Sequence, residues 1–126
     1  MSDEFGLTTL GQISMNAKDL ERATAFYRDT LRVPFLFAAP SLSFFDLGGV
    51  RMMLSPAEKP EFDHPGSVLY FRVPDLREAY TTLGSRGVTF EDEPHMIADM
   101  GSYELWMVFF RDSEANLLAL MSEVAK

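Results

Sequence analysis

Hydrophobic and polar positions predict the same order of elements twice along the chain. In the first half, residues 13–16 predict a short strand, and Asp19 is a good N-cap for the helix that follows. Apolar side chains then recur at helical spacing until Pro34 stops the pattern. Three further strands are predicted at 35–38, 42–47 and 51–55, and a Gly-Gly turn joins the last two.

The second half repeats this order. It predicts a strand at 68–73, a helix that begins after Asp75 and is ended by Gly84 and Gly87, and a short strand at 88–90. An acidic loop at 91–102 then precedes the last two strands, at 103–110 and 117–121. The segment 117–121 is apolar at every position, so we expect both faces of that strand to be covered.

Two pairs of segments indicate an internal duplication. Residues 12–20 and 68–76 both run from an apolar strand into Asp-Leu, and both halves have an Ala three residues later. We therefore predict a single domain over 1–126, made of two modules at about 7–56 and 66–124, with a Pro-rich linker at 56–66. Such a duplicated chain has a natural place for a site, the cleft where the two halves face each other.

The charge balance and the absence of cysteine exclude several classes of binding partner and of functional site. The chain has 19 Asp and Glu residues against 11 Lys and Arg residues and no basic run, which argues against nucleic acid and against an anionic membrane surface. The absence of cysteine excludes disulfides, thiolate catalysis and zinc–thiolate sites. No signal-peptide pattern and no apolar run of about 18 residues is present, so we expect a cytoplasmic protein.

Two motifs give the chain a family resemblance. The first is Lys18-Asp19-Leu20-Glu21-Arg22-Ala23 with Phe26-Tyr27 and Leu31, and the second is Phe109-Phe110-Arg111-Asp112 with Asn116-Leu117-Leu118. Together with the duplication, they resemble the vicinal oxygen chelate superfamily, which includes glyoxalase I, bleomycin resistance proteins and extradiol dioxygenases. The resemblance covers nearly the whole chain. The last turn departs from the family's usual Asp-Pro-Asp-Gly-Asn and lacks its Pro and Gly.

The resemblance implies an α+β fold of two tandem βαβββ modules whose curled mixed sheets enclose a cleft, and a homodimer. Enzymes of the family hold a divalent metal in that cleft. Carried onto this chain, the four ligand positions are Gln12, Met53, Val68 and Ala119. Only the Gln12 amide oxygen suits a hard divalent ion, because Val and Ala have no donor and a Met thioether prefers softer metals. We therefore expect a degenerate metal site and no cofactor.

Strand alternation extends the prediction to the lining of the cleft, since side chains two apart share a face. Besides the four ligand positions, the predicted lining comprises Ser14, Arg51, Tyr70, Arg72, Leu117 and Met121, with Trp106 joining them by its parity with Glu104. A mainly apolar wall with a few polar anchors is typical of small-molecule pockets. Ordinary core packing is the alternative reading of the same pattern. An inward Arg51 or Arg72 would pair with an acid of the protein or with a carboxylate ligand.

Three functions remain open from the sequence. The first is metal-free binding of a small aromatic or acidic molecule, as in the bleomycin resistance branch. The second is an enzyme of the lyase, isomerase or dioxygenase type with a rearranged site, in which Gln12, His95 and Glu104 converge. This site either holds a divalent metal or is metal-free, with His95 and Glu104 transferring protons. The alternative for His95 is a structural bond to a backbone carbonyl, and His64 lies too far along the chain from Val68 to replace it. The third is a structural dimer with a filled cleft.

Overall fold

The computed structural model describes residues 8–57, residue 60 and residues 67–126. Eight strands and two helices lie within these residues. They are β1 (Gln12–Asn16), α1 (Leu20–Ala25), which continues as a π-helical turn (Phe26–Thr30), β2 (Phe35–Ala39), β3 (Leu42–Leu47), β4 (Val50–Ser55), β5 (Leu69–Arg72), α2 (Leu76–Ser85), β6 (His95–Asp99), β7 (Tyr103–Arg111) and β8 (Leu117–Ala125). The predicted linker at 56–66 lies mostly outside the described residues.

The strands form two mixed four-stranded sheets with the same internal order. The first sheet runs β1-β4-β3-β2 and the second runs β5-β8-β7-β6. In each sheet the first two strands are parallel and the other neighbours are antiparallel. The predicted α+β class, with a strand–helix–three-strand order in each half, is confirmed. No helix in the described part of the chain is long and apolar enough to cross a membrane.

Both helices begin where the sequence predicts, after Asp19 and Asp75, whereas Gly84 lies within α2 and does not end it. The side chains of Asp19 and Asp75 each accept a hydrogen bond from the backbone N–H three residues later, which caps the helix. Each helical segment is followed by a residue with positive φ, Arg32 in the first module and Gly87 in the second. The first module has one residue more between cap and end, and a π-helical turn accommodates it.

The acidic segment 91–102 was predicted to be a loop, and that prediction was wrong. It contains β6, which pairs with β7, whereas the predicted strand at 88–90 is reduced to one bridge between Phe90 and Phe110. The nine residues of β7 offer a long row of backbone N–H and C=O groups, and β6 uses them despite its polar flanks. Backbone pairing with β7 therefore outweighed the local charge pattern.

A single cluster of buried side chains lies between the sheets and the helices. Met15, Phe45 and Met52 face the helix side of the first sheet, and Leu118 and Leu120 do so in the second. Ala119, on the other face, is also fully buried, so both faces of β8 are covered there, as predicted. We call the side of each sheet that is turned away from its helix the helix-free face.

Candidate functional site

The helix-free face of the first sheet holds four of the predicted site residues. Gln12 is paired with Arg51, and Ser14 is paired with Met53 on the neighbouring parallel strand. Paired residues on adjacent strands point to the same face. Met15 and Met52 alternate with them and are buried beneath the helix. The structure therefore brings these four predicted residues together on one face.

Arg51 is fixed at the centre of this face. Its Nε donates a hydrogen bond to Oε1 of Gln12 at 2.8 Å. Its guanidinium carbon lies 4.8 Å from the ring centroid of Phe44, and that ring lies 4.9 Å from Phe37. In the described part of the chain, no carboxylate forms an ion pair with Arg51. The face thus presents the guanidinium of Arg51 beside two aromatic rings, with Asp46 as the residue paired with it on β3.

The helix-free face of the second sheet is mainly apolar. Tyr70 is paired with Ala119, and Arg72 is paired with Met121. The ring of Tyr70 meets that of Phe109, on the other side of Ala119, at 6.2 Å between centroids. Arg72 lies 3.6 Å from a carboxylate oxygen of Glu123, so this arginine has an acidic partner within the protein. Val68 lies immediately before β5.

The structure does not bring His95 and Glu104 together. His95 is paired with Met107, which is paired with Met121, so it lies on the helix-free face. Glu104 alternates with these residues and lies on the other face. The His95 Nδ1 lies 2.8 Å from the carbonyl oxygen of Glu93, which is the structural bond considered above.

Trp106 also departs from its predicted position. It is paired with the buried Ser122 and packs against the core cluster, and its indole N–H donates to Oε1 of Glu104 at 3.1 Å. Its expected place in the cleft followed from parity within β7 alone. Parity gives two sets of residues on a strand, and only pairing with β8 shows which set shares a face with Ala119 and Met121.

The residues at the four inherited ligand positions do not fit a divalent metal. The Gln12 amide oxygen already accepts a hydrogen bond from a cation, and Ala119 is buried without a donor atom. Across the described ranges, no group of three or more His, Asp or Glu side chains is placed to hold a metal ion. No chemical step is therefore derived through a metal.

A cavity of about 1190 Å³ lies between the two modules, on the helix side of β1. Its apolar lining comes from Ile13, Val33 and Leu47 of the first module and from Phe71, Val73 and Leu83 of the second. Of the predicted site residues, only Tyr70 and Arg72 contribute to it. Sequence reasoning missed this cavity because its walls combine β5 with parts of the first module that are distant in sequence. One available signal was Arg32, which stands where the second module has Gly87.

The modules are joined on another side by a buried hydrogen bond. The hydroxyl of Tyr27 donates to Oδ2 of Asp112 at 2.7 Å. Burial raises the pKa of Tyr27 well above its ordinary value of 10.0, and the nearby Asp112 carboxylate raises it further. The Glu114 carboxylate accepts hydrogen bonds from the backbone N–H groups of Lys18 and Asp19, at 2.6 and 3.3 Å. Hydrogen bonds between the two modules therefore close the space between them on this side.

Residues 9–120 match the sequence profile of the Glyoxalase/Bleomycin resistance protein/Dioxygenase superfamily. The chain is 25% identical over 123 residues to the uncharacterised protein YraH of Bacillus subtilis (strain 168), covering 86% of this chain and 94% of YraH. A lactoylglutathione lyase from Agrobacterium tumefaciens has a similar structure, with a TM-score of 0.69 and 22% identity over 91% of this chain and 93% of that one. The fosfomycin resistance protein FosX from Listeria monocytogenes gives a TM-score of 0.71 at 17% identity, covering 93% and 94% of the two chains.

Proposed function

Because the chain belongs to the glyoxalase/bleomycin resistance protein/dioxygenase superfamily and its inherited metal positions lack a fitting donor set, we propose that it is a metal-free binding protein for a small aromatic or acidic molecule. The observation that carries the proposal is the group formed by Gln12, Arg51 and Phe44. This group puts a fixed positive charge next to one of the positions from which relatives hold a metal.

A guanidinium can take over part of a metal's role in binding a negatively charged group. It is always charged, and its fork of N–H groups matches the two oxygens of a carboxylate. One N–H of Arg51 is used by Gln12, which fixes the orientation of the plane and leaves the other N–H groups for a ligand. Phe44 and Phe37 supply an adjacent surface on which an aromatic ring can pack. An aromatic carboxylate is complementary to both features.

The geometry favours binding over the enzyme alternative. A lyase, isomerase or dioxygenase-type site built on Gln12, His95 and Glu104 requires these side chains to converge. His95 and Glu104 lie on opposite faces of the second sheet, and His95 is bonded to a backbone carbonyl. A ligand bound on one face of the sheet can therefore contact only one of these two side chains.

We also propose that the protein forms a homodimer in the cytoplasm. The outer strands of both sheets, β2 and β6, carry exposed apolar side chains at Leu36, Phe37, Met96 and Ile97, which are each about half exposed. An exposed apolar sheet edge invites pairing with another chain. Sedimentation velocity at micromolar concentration should give a dimer, and a monomer at all concentrations would contradict this part of the proposal.

The binding proposal is tested by calorimetric titration of 2-naphthoate into protein that has been treated with a chelator. We expect saturable binding, and we expect Arg51→Gln to weaken it at least about tenfold, because a charge-assisted hydrogen bond contributes about 1.5–3 kcal/mol. Arg77→Gln is the matched control, since it removes the same charge from an exposed position on α2. Naphthoate binding that requires Mn, Fe, Ni or Zn, or that is unchanged in Arg51→Gln, would overturn the proposal.

A further inference from the structure

The two modules contact each other at two places that are related by the duplication. One of these places contains the cavity, and the other is closed. We call the contact of α1 and its π-helical turn with the turn 112–116 the first junction. The duplication relates α1 to α2, and it relates the turn 112–116 to the turn 46–49 of the first module. We call the place where α2 meets the turn 46–49 the second junction. Tyr27 and Asp112 seal the first junction. At the second junction, the distance from the helix cap relates Leu83 to Tyr27, strand pairing relates Leu47 to Asp112, and both leucines line the open cavity.

The wall of the second junction is mainly apolar and carries charged side chains of both signs. Leu47 and Val50 line it from the first module, and Leu69, Phe71 and Leu83 line it from the second. Three arginines also line it, namely Arg32, Arg72 and Arg86. An apolar wall with a few charged groups suits a ligand with an apolar body and one charged end.

Of these arginines, Arg32 alone has no partner within the described residues. Arg72 pairs with Glu123, and Nη1 of Arg86 donates to the carbonyl oxygen of Thr30 at 3.0 Å. Asp46, Asp75 and Glu78 also line the cavity, and Asp46 and Asp75 each accept a backbone N–H in their own turn or helix cap. Neither these acids nor any other described group pairs with Arg32, so its guanidinium is the cation available to a ligand at this cavity.

The backbone of Arg32 gives an independent reason to assign it a role. Its φ is +56°, in the left-handed region where a side chain is unfavourable and glycine is preferred. The second module has glycine at the related position, Gly87, with a φ of +92°. A strained non-glycine residue at the mouth of a cavity indicates that its side chain is needed there.

We infer that the second junction binds a small amphipathic carboxylic acid, whose apolar body lies along Leu47, Phe71 and Leu83 and whose carboxylate pairs with Arg32. This site lies on the helix side of β1, whereas Gln12 and Arg51 lie on the helix-free face. The inference therefore does not rest on the proposed function, and the two can fail separately.

The test measures octanoate binding to the full chain by calorimetry, with octan-1-ol as the uncharged probe. Octanoate should bind saturably, and Arg32→Gly should weaken it at least tenfold while octan-1-ol binding stays the same. Arg32→Gly should also raise Tm by about 2–4 °C, because the strained backbone is relieved. Ala115→Gly is the matched control, since Ala115 is the other described non-glycine residue with positive φ, and it lies in the turn of the first junction. It should raise Tm similarly and leave octanoate binding unchanged.

Several outcomes would overturn the inference. Equal octanoate affinity in the wild type and Arg32→Gly would show that Arg32 does not hold the carboxylate. No saturable binding of octanoate to the wild type would show that the cavity does not take such an acid. A change of oligomeric state in Arg32→Gly without any probe would mean that a second copy covers the cavity instead. Loss of octanoate binding in Arg51→Gln, with Arg32→Gly unaffected, would move the site to the helix-free face.

Discussion

The two junctions between the modules differ more than the modules themselves. Both sheets have the same strand order, and both helices are capped by an aspartate. At the first junction, Tyr27 reaches the buried Asp112 and Glu114 reaches the start of α1. At the second, Leu83 and the turn that contains Gly48 leave a cavity. After a duplication, the repeated framework can thus stay constant while one junction becomes structural and the other becomes free to bind.

The largest difference between the junctions is expected on removal of their turn aspartates. Asp112 accepts hydrogen bonds from the Tyr27 hydroxyl, from two backbone N–H groups in its turn and from the Asn116 side chain. Asp112→Ala should therefore lower the free energy of unfolding by about 3–5 kcal/mol. Asp46 accepts a hydrogen bond from the backbone N–H of Gly49. Asp46→Ala should cost about 0.5–1.5 kcal/mol. Urea denaturation of both variants checks this order, and equal costs would contradict a sealed first junction.

Tyr27→Phe isolates the link between the modules. It should lower the free energy of unfolding by about 1.5–3 kcal/mol, because the Asp112 carboxylate loses one donor. The raised pKa of Tyr27 adds a pH dependence. The folded protein keeps the phenol proton, whereas the unfolded chain loses it near the ordinary value of 10.0. This contribution is complete below pH 10 and declines as the pH rises above it.

The advantage of the wild type over Tyr27→Phe should therefore be constant below pH 10 and should shrink as the pH rises above that value. Urea denaturation of the two proteins at several pH values measures the difference directly. A difference that stays constant, or that grows with pH, would mean that Tyr27 is not held in its protonated form by the fold.

A smaller effect is expected at the start of α1. Glu114 accepts from the N–H groups of Lys18 and Asp19, and its carboxylate lies 3.5 Å from Arg22. Glu114→Ala should cost about 1 kcal/mol, as for loss of a helix cap, since these groups are partly open to solvent. Glu21→Ala, which removes an acid from the first turn of the same helix, should cost less. Thermal unfolding of both variants tests this, and a larger effect at Glu21 would point to the helix dipole alone.

The sequence was sufficient for features that depend on local pattern. The helix caps at Asp19 and Asp75 and the turn at Gly48-Gly49 follow from single residues, and the duplication fixed the repeated strand order. The shared face of Gln12 and Arg51 followed from the ligand positions that the family resemblance implies, combined with alternation within each strand.

The features that the sequence did not predict depend on which strands pair and on which parts of the two modules contact each other. The face of Trp106 is decided by its pairing with Ser122, and β6 forms because the long β7 needs a partner. The cavity at the second junction combines Arg32, Leu47 and Leu83, which are distant in sequence and belong to no common strand. Local periodicity does not predict contacts between residues that are distant in sequence, because these contacts depend on the packing of one module on the other.

The central claim, that one junction is sealed and its counterpart is open to a ligand, is tested most directly by NMR of the methyl groups during an octanoate titration. Shift changes should concentrate at Leu47, Leu69 and Leu83 and should be small at Leu54, which is buried in the first module. The same pattern should be lost in Arg32→Gly. Shift changes that are spread evenly over both modules, or that are largest around Met15 beside Tyr27, would contradict the account.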